Sequence, residues 1–219
     1  MEPFIITAVV VGVIFLVIAA VILSRHLEKK RMQAMEAAAQ ELGFEFQGLS
    51  EGSLSLLTSG FELMNRGRGR KYRNVMHRQA ESTSVYIADY QYTVSNGKNS
   101  TTHHQTIAVI QSPDLQLPSF NLYPENIFLR FAQALGMQDI DFEEAPKFSR
   151  MFVLRGDDEA AIREYFFPQA LEDITELGAV SVAGAGDRMM IWFGNRRVKP
   201  QDLRTFFETA FKIHVLMSA

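Results

Sequence analysis

Residues 4–23 form a run of 20 in which Thr7 is the only polar side chain and 15 are Leu, Ile, Val or Phe. As a helix, such a run rises about 30 Å, the thickness of a bilayer's hydrocarbon core. At roughly 0.3–0.6 kcal/mol per Leu, Ile, Val or Phe, insertion is favoured by about 5–9 kcal/mol. The expectation is a transmembrane anchor over residues 1–24. A cleaved signal peptide would carry a basic leader and a shorter apolar stretch, whereas Glu2 and no Lys or Arg precedes this one. Arg25, Lys29, Lys30 and Arg31 follow the run, opposed only by Glu28. Basic flanks stay on the cytoplasmic side, so the expected topology is single-pass with the rest of the chain facing the cytoplasm.

Residues 25–43 read as a juxtamembrane helix or stalk, rich in Ala, Met, Glu and Lys, with Met32, Met35, Ala39 and Leu42 on one face and Gly43 as the terminator. Residues 44–219 then suit one soluble domain, and the chain's 17 Phe are enough to fill its core. With no cysteine, disulfides, thiolate nucleophiles and Cys-based metal sites are excluded. Net charge is −3, divided as +2 over residues 1–109 and −5 over residues 110–219.

The clearest strand signal is residues 85–94 with 105–111, a hairpin in which Asn96-Gly97 suggests a two-residue turn. Residues 44–46 and 61–64 are further strand candidates flanking a Ser/Gly/Leu loop. A helix is expected over 125–135, a strand at 151–154, and a helix capped by Asp157 as far as Phe166. A second helix runs from Pro168 to Leu177, followed by a hairpin of 180–183 with 189–193. The chain ends on a helix over 200–217 with Leu203, Phe206, Phe207, Ala210, Phe211 and Ile213 on its apolar face. The fold class is therefore α+β: an N-terminal transmembrane helix, then one soluble domain with a mainly antiparallel sheet covered by helices on one face.

Arg66, Arg68, Arg70, Lys71, Arg73 and Arg78 place six cations and no anion within 13 residues. Such a cluster can grip phosphates, and beside a membrane anchor the nearest are anionic lipid headgroups, at about 1 kcal/mol per contacting cation. The negative overall charge and the lack of any accompanying signature argue against nucleic acid. A solvated, charge-protected edge strand is the plainer reading of the same run. Adjacent His103 and His104 would point to opposite faces of a strand and could not share a metal. A turn at 96–97 sets Asp89 opposite His104 as a charge pair. Asp139, Asp141 and Glu143 lack the Gly and Glu of a calcium loop, and Gly184-x-Gly186 has Met189 where a dinucleotide fingerprint needs glycine. No metal, cofactor or catalytic motif emerges.

An apolar N-terminal span, Leu42-Gly43-Phe44, Asp89-Tyr90-Gln91-Tyr92, Gln105-Thr106, Leu117-Pro118-Ser119-Phe120, Pro124-Glu125, Phe148-Ser149-Arg150 and Leu154-Arg155-Gly156 follow in order. This series resembles an uncharacterised bacterial family of N-terminally membrane-anchored proteins, over nearly the whole chain. That family has no established activity, so the resemblance implies a bacterial plasma (inner) membrane location and nothing catalytic. The functional expectation is a membrane-tethered, non-enzymatic binding or scaffold module contacting anionic lipid or a phosphate-bearing partner through the basic run. The alternative is a membrane-anchored enzyme whose site gathers Asp89, His104 and Glu125 without a linear motif.

Overall fold

Helix α1, Glu2–Glu41, is one unbroken helix of 40 residues in the computed structural model, which describes residues 2–48, 52–97, 99–128 and 139–218. Every side chain from residue 5 to 27 is exposed, and the helix is long and apolar enough to cross a membrane. Past that stretch its character changes. Met35 and Ala39 are fully buried, as their shared-face spacing predicts, and Gly43 ends the helix at φ +72°.

Eight strands follow: β1 Glu45–Gly48, β2 Arg68–Ala80, β3 Thr83–Asn96, β4 Asn99–Gln111, β5 Leu117–Pro124, β6 Phe152–Gly156, β7 Ser181–Gly186 and β8 Arg188–Trp192. They form one sheet in the order β1-β2-β3-β4-β8-β7-β5-β6, antiparallel at every pairing. Alternation along β3 assigns its faces. Val85 and Ile87 join the core beneath α1, while Ala88, Tyr90 and Tyr92 join a second core on the opposite side.

The first face carries α1, α5 Pro146–Met151, α6 Glu159–Tyr165, α7 Pro168–Glu176 and α8 Leu203–Met217. The second is covered around Leu54 and Leu63 by α2 Gly52–Thr58 and α3 Glu62–Asn65, so the sheet is covered on both faces and not on one. The expected strand at 61–64 is α3, because Leu63 and Met64 bury together against the sheet where a strand would have turned one of them outward. Of the helix expected over 125–135, α4 Glu125–Phe128 is described and the remainder lies outside the described residues.

Strand β5 was hidden by its prolines. Pro118 sits where the pairing with β7 shifts register, between Leu117–Gly186 and Phe120–Gly184, and Pro124 ends the strand. Asp158, not Asp157, caps α6, accepting from the Ala161 N–H at 3.0 Å. Beside β6, Ile140 and Phe142 are buried, the Asp139 carboxylate accepts from the Leu154 N–H at 2.9 Å and the Ile140 N–H donates to the Leu154 carbonyl at 2.8 Å.

Helix α8 buries Leu203, Phe206, Ala210, Ile213 and Met217, whereas Phe211 is 45% exposed. Replacing Phe206 with Ala empties a fully enclosed site and should cost about 3–5 kcal/mol in urea unfolding. Phe211→Ala should cost no more than about 1 kcal/mol. Equal losses would contradict the packing described.

Candidate functional site: the junction of helix and domain

Asp89 lies on central strand β3 and is 3% exposed. A buried carboxylate needs its lone pairs filled, and four donor contacts fill them. Arg31 of α1 donates from Nε to Oδ2 and from an Nη to Oδ1, both at 2.8 Å; Asn74 donates at 2.8 Å and the Thr106 hydroxyl at 2.7 Å. The same Arg31 guanidinium donates to the Val198 carbonyl at 2.8 Å, and the Val198 N–H donates to the Thr106 hydroxyl at 2.9 Å. One carboxylate thus ties together α1, β2, β3, β4 and the loop between β8 and α8.

Backbone geometry supplies the Asn74 donor. Between the pairs Arg73–Asp89 and Met76–Ile87, β2 holds one residue more than β3, and Asn74 takes φ +50° in that bulge. Asn tolerates this conformation better than most residues and contributes the amide that Gly could not.

Toward the exposed part of α1, Arg197 pairs with Glu28 at 2.8 Å. Ser24, Glu28, Arg73, Asp89, Gln91, His104 and Arg197 surround a cleft of about 150 Å³. Arg73 also borders a wider groove of about 620 Å³ with Val17, Ala20, Val21, Ser24 and Arg25. The sheet therefore meets α1 where its apolar segment gives way to charge.

The basic run is divided between the two faces of the sheet. Arg68, Lys71 and Arg73 pair with Thr93, Gln91 and Asp89, so they share the α1 face of the sheet, and Arg68 and Lys71 are exposed. Arg66 turns to the other face, pairing with Glu62 at 2.5 Å and lying 5.5 Å from the Tyr123 ring centre. Arg70 donates to the Met64 carbonyl. Arg78, farther along β2, donates to the Leu42 carbonyl at 3.0 Å and sits over Phe207. Gly67 is dictated by close approach: its φ is +60° and a Cβ there would overlap the Thr93 carbonyl. Sequence reasoning missed a second contribution, Arg196, Arg197 and Lys199, which the fold brings to the same end of the sheet. The Arg196 carbonyl accepts from the Thr106 N–H, and Asn195 accepts from the His104 N–H. The short run Asn195-Arg196-Arg197 was its only signal.

The histidines lie on opposite faces, as strand alternation requires. His103 stacks on Tyr92 at 4.9 Å and His104 borders the junction cleft. The β3–β4 ladder, however, closes on the pair Asn96–Asn99, which sets Asp89 opposite Thr106 and His104 opposite Gln91. The expected Asp89–His104 charge pair is replaced by Asp89–Arg31. A two-residue register shift keeps each residue's face, so the two remain diagonal neighbours. Glu125 is not brought to them, since it follows β5, four inter-strand steps from β3 or about 19 Å. Among the described residues no three His, Asp or Glu are grouped to hold a metal.

No protein-family model and no curated protein matches the chain. Among solved structures it is similar to the crystal structure of the mycobacterial trehalose monomycolate transport factor A, TtfA, with a TM-score of 0.56 and 11% identity over 85% of this chain and 93% of that one. What the two share is the fold.

Asp89→Asn leaves Arg31 without its counter-charge in a largely enclosed site and should destabilise the domain by about 3–5 kcal/mol, whereas Lys29→Ala should stay within about 0.5 kcal/mol. Denaturant melts of the detergent-solubilised chain measure both. Burial, as the first cause, pulls the His103 and His104 pKa values below the usual 6.5, and the Arg197 charge adds to this for His104. The unfolded chain then binds protons more readily, so this contribution to stability is complete above about pH 6.5 and is lost as pH falls from there toward the folded values. Joint replacement of both histidines by Gln should flatten the fall between pH 7 and 5 relative to the parent; an unchanged slope would refute it.

Proposed function

We propose that the chain is a membrane-tethered, non-enzymatic binding or scaffold module: α1 crosses the plasma (inner) membrane once, and the domain stands on its cytoplasmic side against anionic lipid. The observation that carries this reading is the continuity of α1. One helix passes from a fully exposed apolar segment into the domain core and is locked there by Arg31–Asp89, Arg31–Val198 and Glu28–Arg197. Such a domain is a rigid extension of its anchor and cannot drift from the bilayer on a flexible stalk.

Charge supports the same orientation. Around the emerging helix stand Arg25, Lys29 and Lys30 from α1, Arg68, Lys71 and Arg73 from β2, and Arg196, Arg197 and Lys199 from the β8–α8 loop, with half-buried Glu28 paired to Arg197. A basic collar at this level faces headgroup phosphates, and basic flanks favour the cytoplasmic leaflet. The named function of the structural neighbour, a transport factor, accords with a membrane-associated role that needs no chemistry of its own. The enzymatic alternative loses its geometry, because Asp89 is fully engaged and Glu125 lies four strands away.

Reporter fusions after residue 219 test the orientation: a cytoplasm-dependent reporter should be active and a periplasm-dependent one silent, and the reverse would overturn it. A chain lacking residues 1–24 should remain folded and bind vesicles containing phosphatidylglycerol at low salt. Replacing Arg68, Lys71 and Arg73 with Gln should remove about 3 kcal/mol of that binding, roughly a hundredfold in affinity. Equal binding by variant and parent, or no preference over neutral vesicles, would leave these residues a solvated surface.

A further inference from the structure

The direction of α1 relative to β3 can be read from two anchor points. Arg31 meets Asp89, and Leu42 meets Arg78, which is paired with Val85. Eleven residues of helix, about 16 Å, therefore accompany four residues of strand, about 14 Å, so the two advance together. They share a sense as well: moving along α1 toward its apolar segment means moving along β3 toward its turn. Ser24 and Glu28 lie beside Gln91 and His104, beyond the Asp89 level, which confirms the direction.

Beyond Asp89 the β3–β4 ladder continues to Asn96–Asn99, seven residues or about 24 Å. From Arg31, the end of the apolar run at Leu23 is eight residues back, about 12 Å. The hairpin's end thus stops at the level of the hydrocarbon boundary when the two axes diverge by about 60°, and would pass it at smaller angles. Composition matches a headgroup layer and not an acyl interior. Thr93 and Thr102 share a 2.9 Å hydroxyl–hydroxyl bond, as do Ser95 and Ser100, and this end of the hairpin is largely exposed. Hydroxyl groups there can exchange water for phosphate and ester oxygens without burying charge, while exposed Arg68 lies beside them as Thr93's partner on β2.

We infer that the end of the β3–β4 hairpin, residues 93–96 and 99–102, is a second membrane foot, seated in the headgroup layer of the bilayer that α1 crosses. With Arg31–Asp89 fixing the angle between helix and sheet, the two feet hold the sheet at one orientation to the membrane. The inference rests on α1 spanning the bilayer.

Because the chain contains no cysteine, single Cys substitutions give one labelling site each. Full-length protein carrying a spin label at Val13, Ser100, Thr101 or Gln79 is reconstituted in phosphatidylcholine–phosphatidylglycerol vesicles, and label depth is measured by accessibility to oxygen and to a water-soluble nickel chelate. The expected pattern is a deep label at Val13, headgroup-level labels at Ser100 and Thr101 with nickel accessibility reduced severalfold, and a fully aqueous label at Gln79. A deep Val13 label with Ser100 and Thr101 as aqueous as Gln79 would overturn the second foot and leave the span intact. A shallow Val13 label would overturn the span and this inference with it.

Discussion

A bidentate bond between Arg31 and Asp89 joins the part of this protein suited to lipid with the part suited to water. Planar fork-to-carboxylate pairing fixes both distance and direction, which a single lysine contact would not. The cost of enclosing two charges is met by further donors, Asn74 and Thr106, and by the Val198 carbonyl on the arginine side. Removing one partner leaves a stranded charge, so five elements depend on one residue pair.

The clamp gives the fold its asymmetry. Continuous helix on one side and bonded sheet on the other make the angle between α1 and β3 a property of the structure, not of a linker. The basic residues of β2 and of the β8–α8 loop then fall around the emerging helix, although they are far apart in sequence. An anionic leaflet would act on this arrangement as a whole, each contact weak and screened by salt beyond about 8 Å, the sum strong enough to hold the domain down.

Much of the architecture was legible in the residues. Apolar content marked residues 4–23, runs of β-branched and aromatic residues marked β3 and β4, and the apolar face of Phe206 and its neighbours marked α8. Where the reading failed, a tertiary partner had overridden the local signal. Prolines concealed β5 because a register shift accommodates one of them, and residues 61–64 look like a strand until a second sheet face needs a cover. Asp89 was visible as a polar residue in an apolar strand, but nothing local identified Arg31, 58 positions away, as its partner. The basic run was visible too, yet bulges and strand alternation split it between two faces, which only the register shows.

Rigidity of the helix within the domain is the central claim, and a distance distribution measures it most directly. Spin labels on Cys residues introduced at Val21, in the exposed stretch of α1, and at Gln79, at the far end of β2, should give one narrow peak in vesicles by pulsed dipolar spectroscopy. The same pair in an Asp89→Asn background should give a broader distribution. A parent distribution already as broad as the variant's would contradict the account, because α1 would then be an ordinary tether.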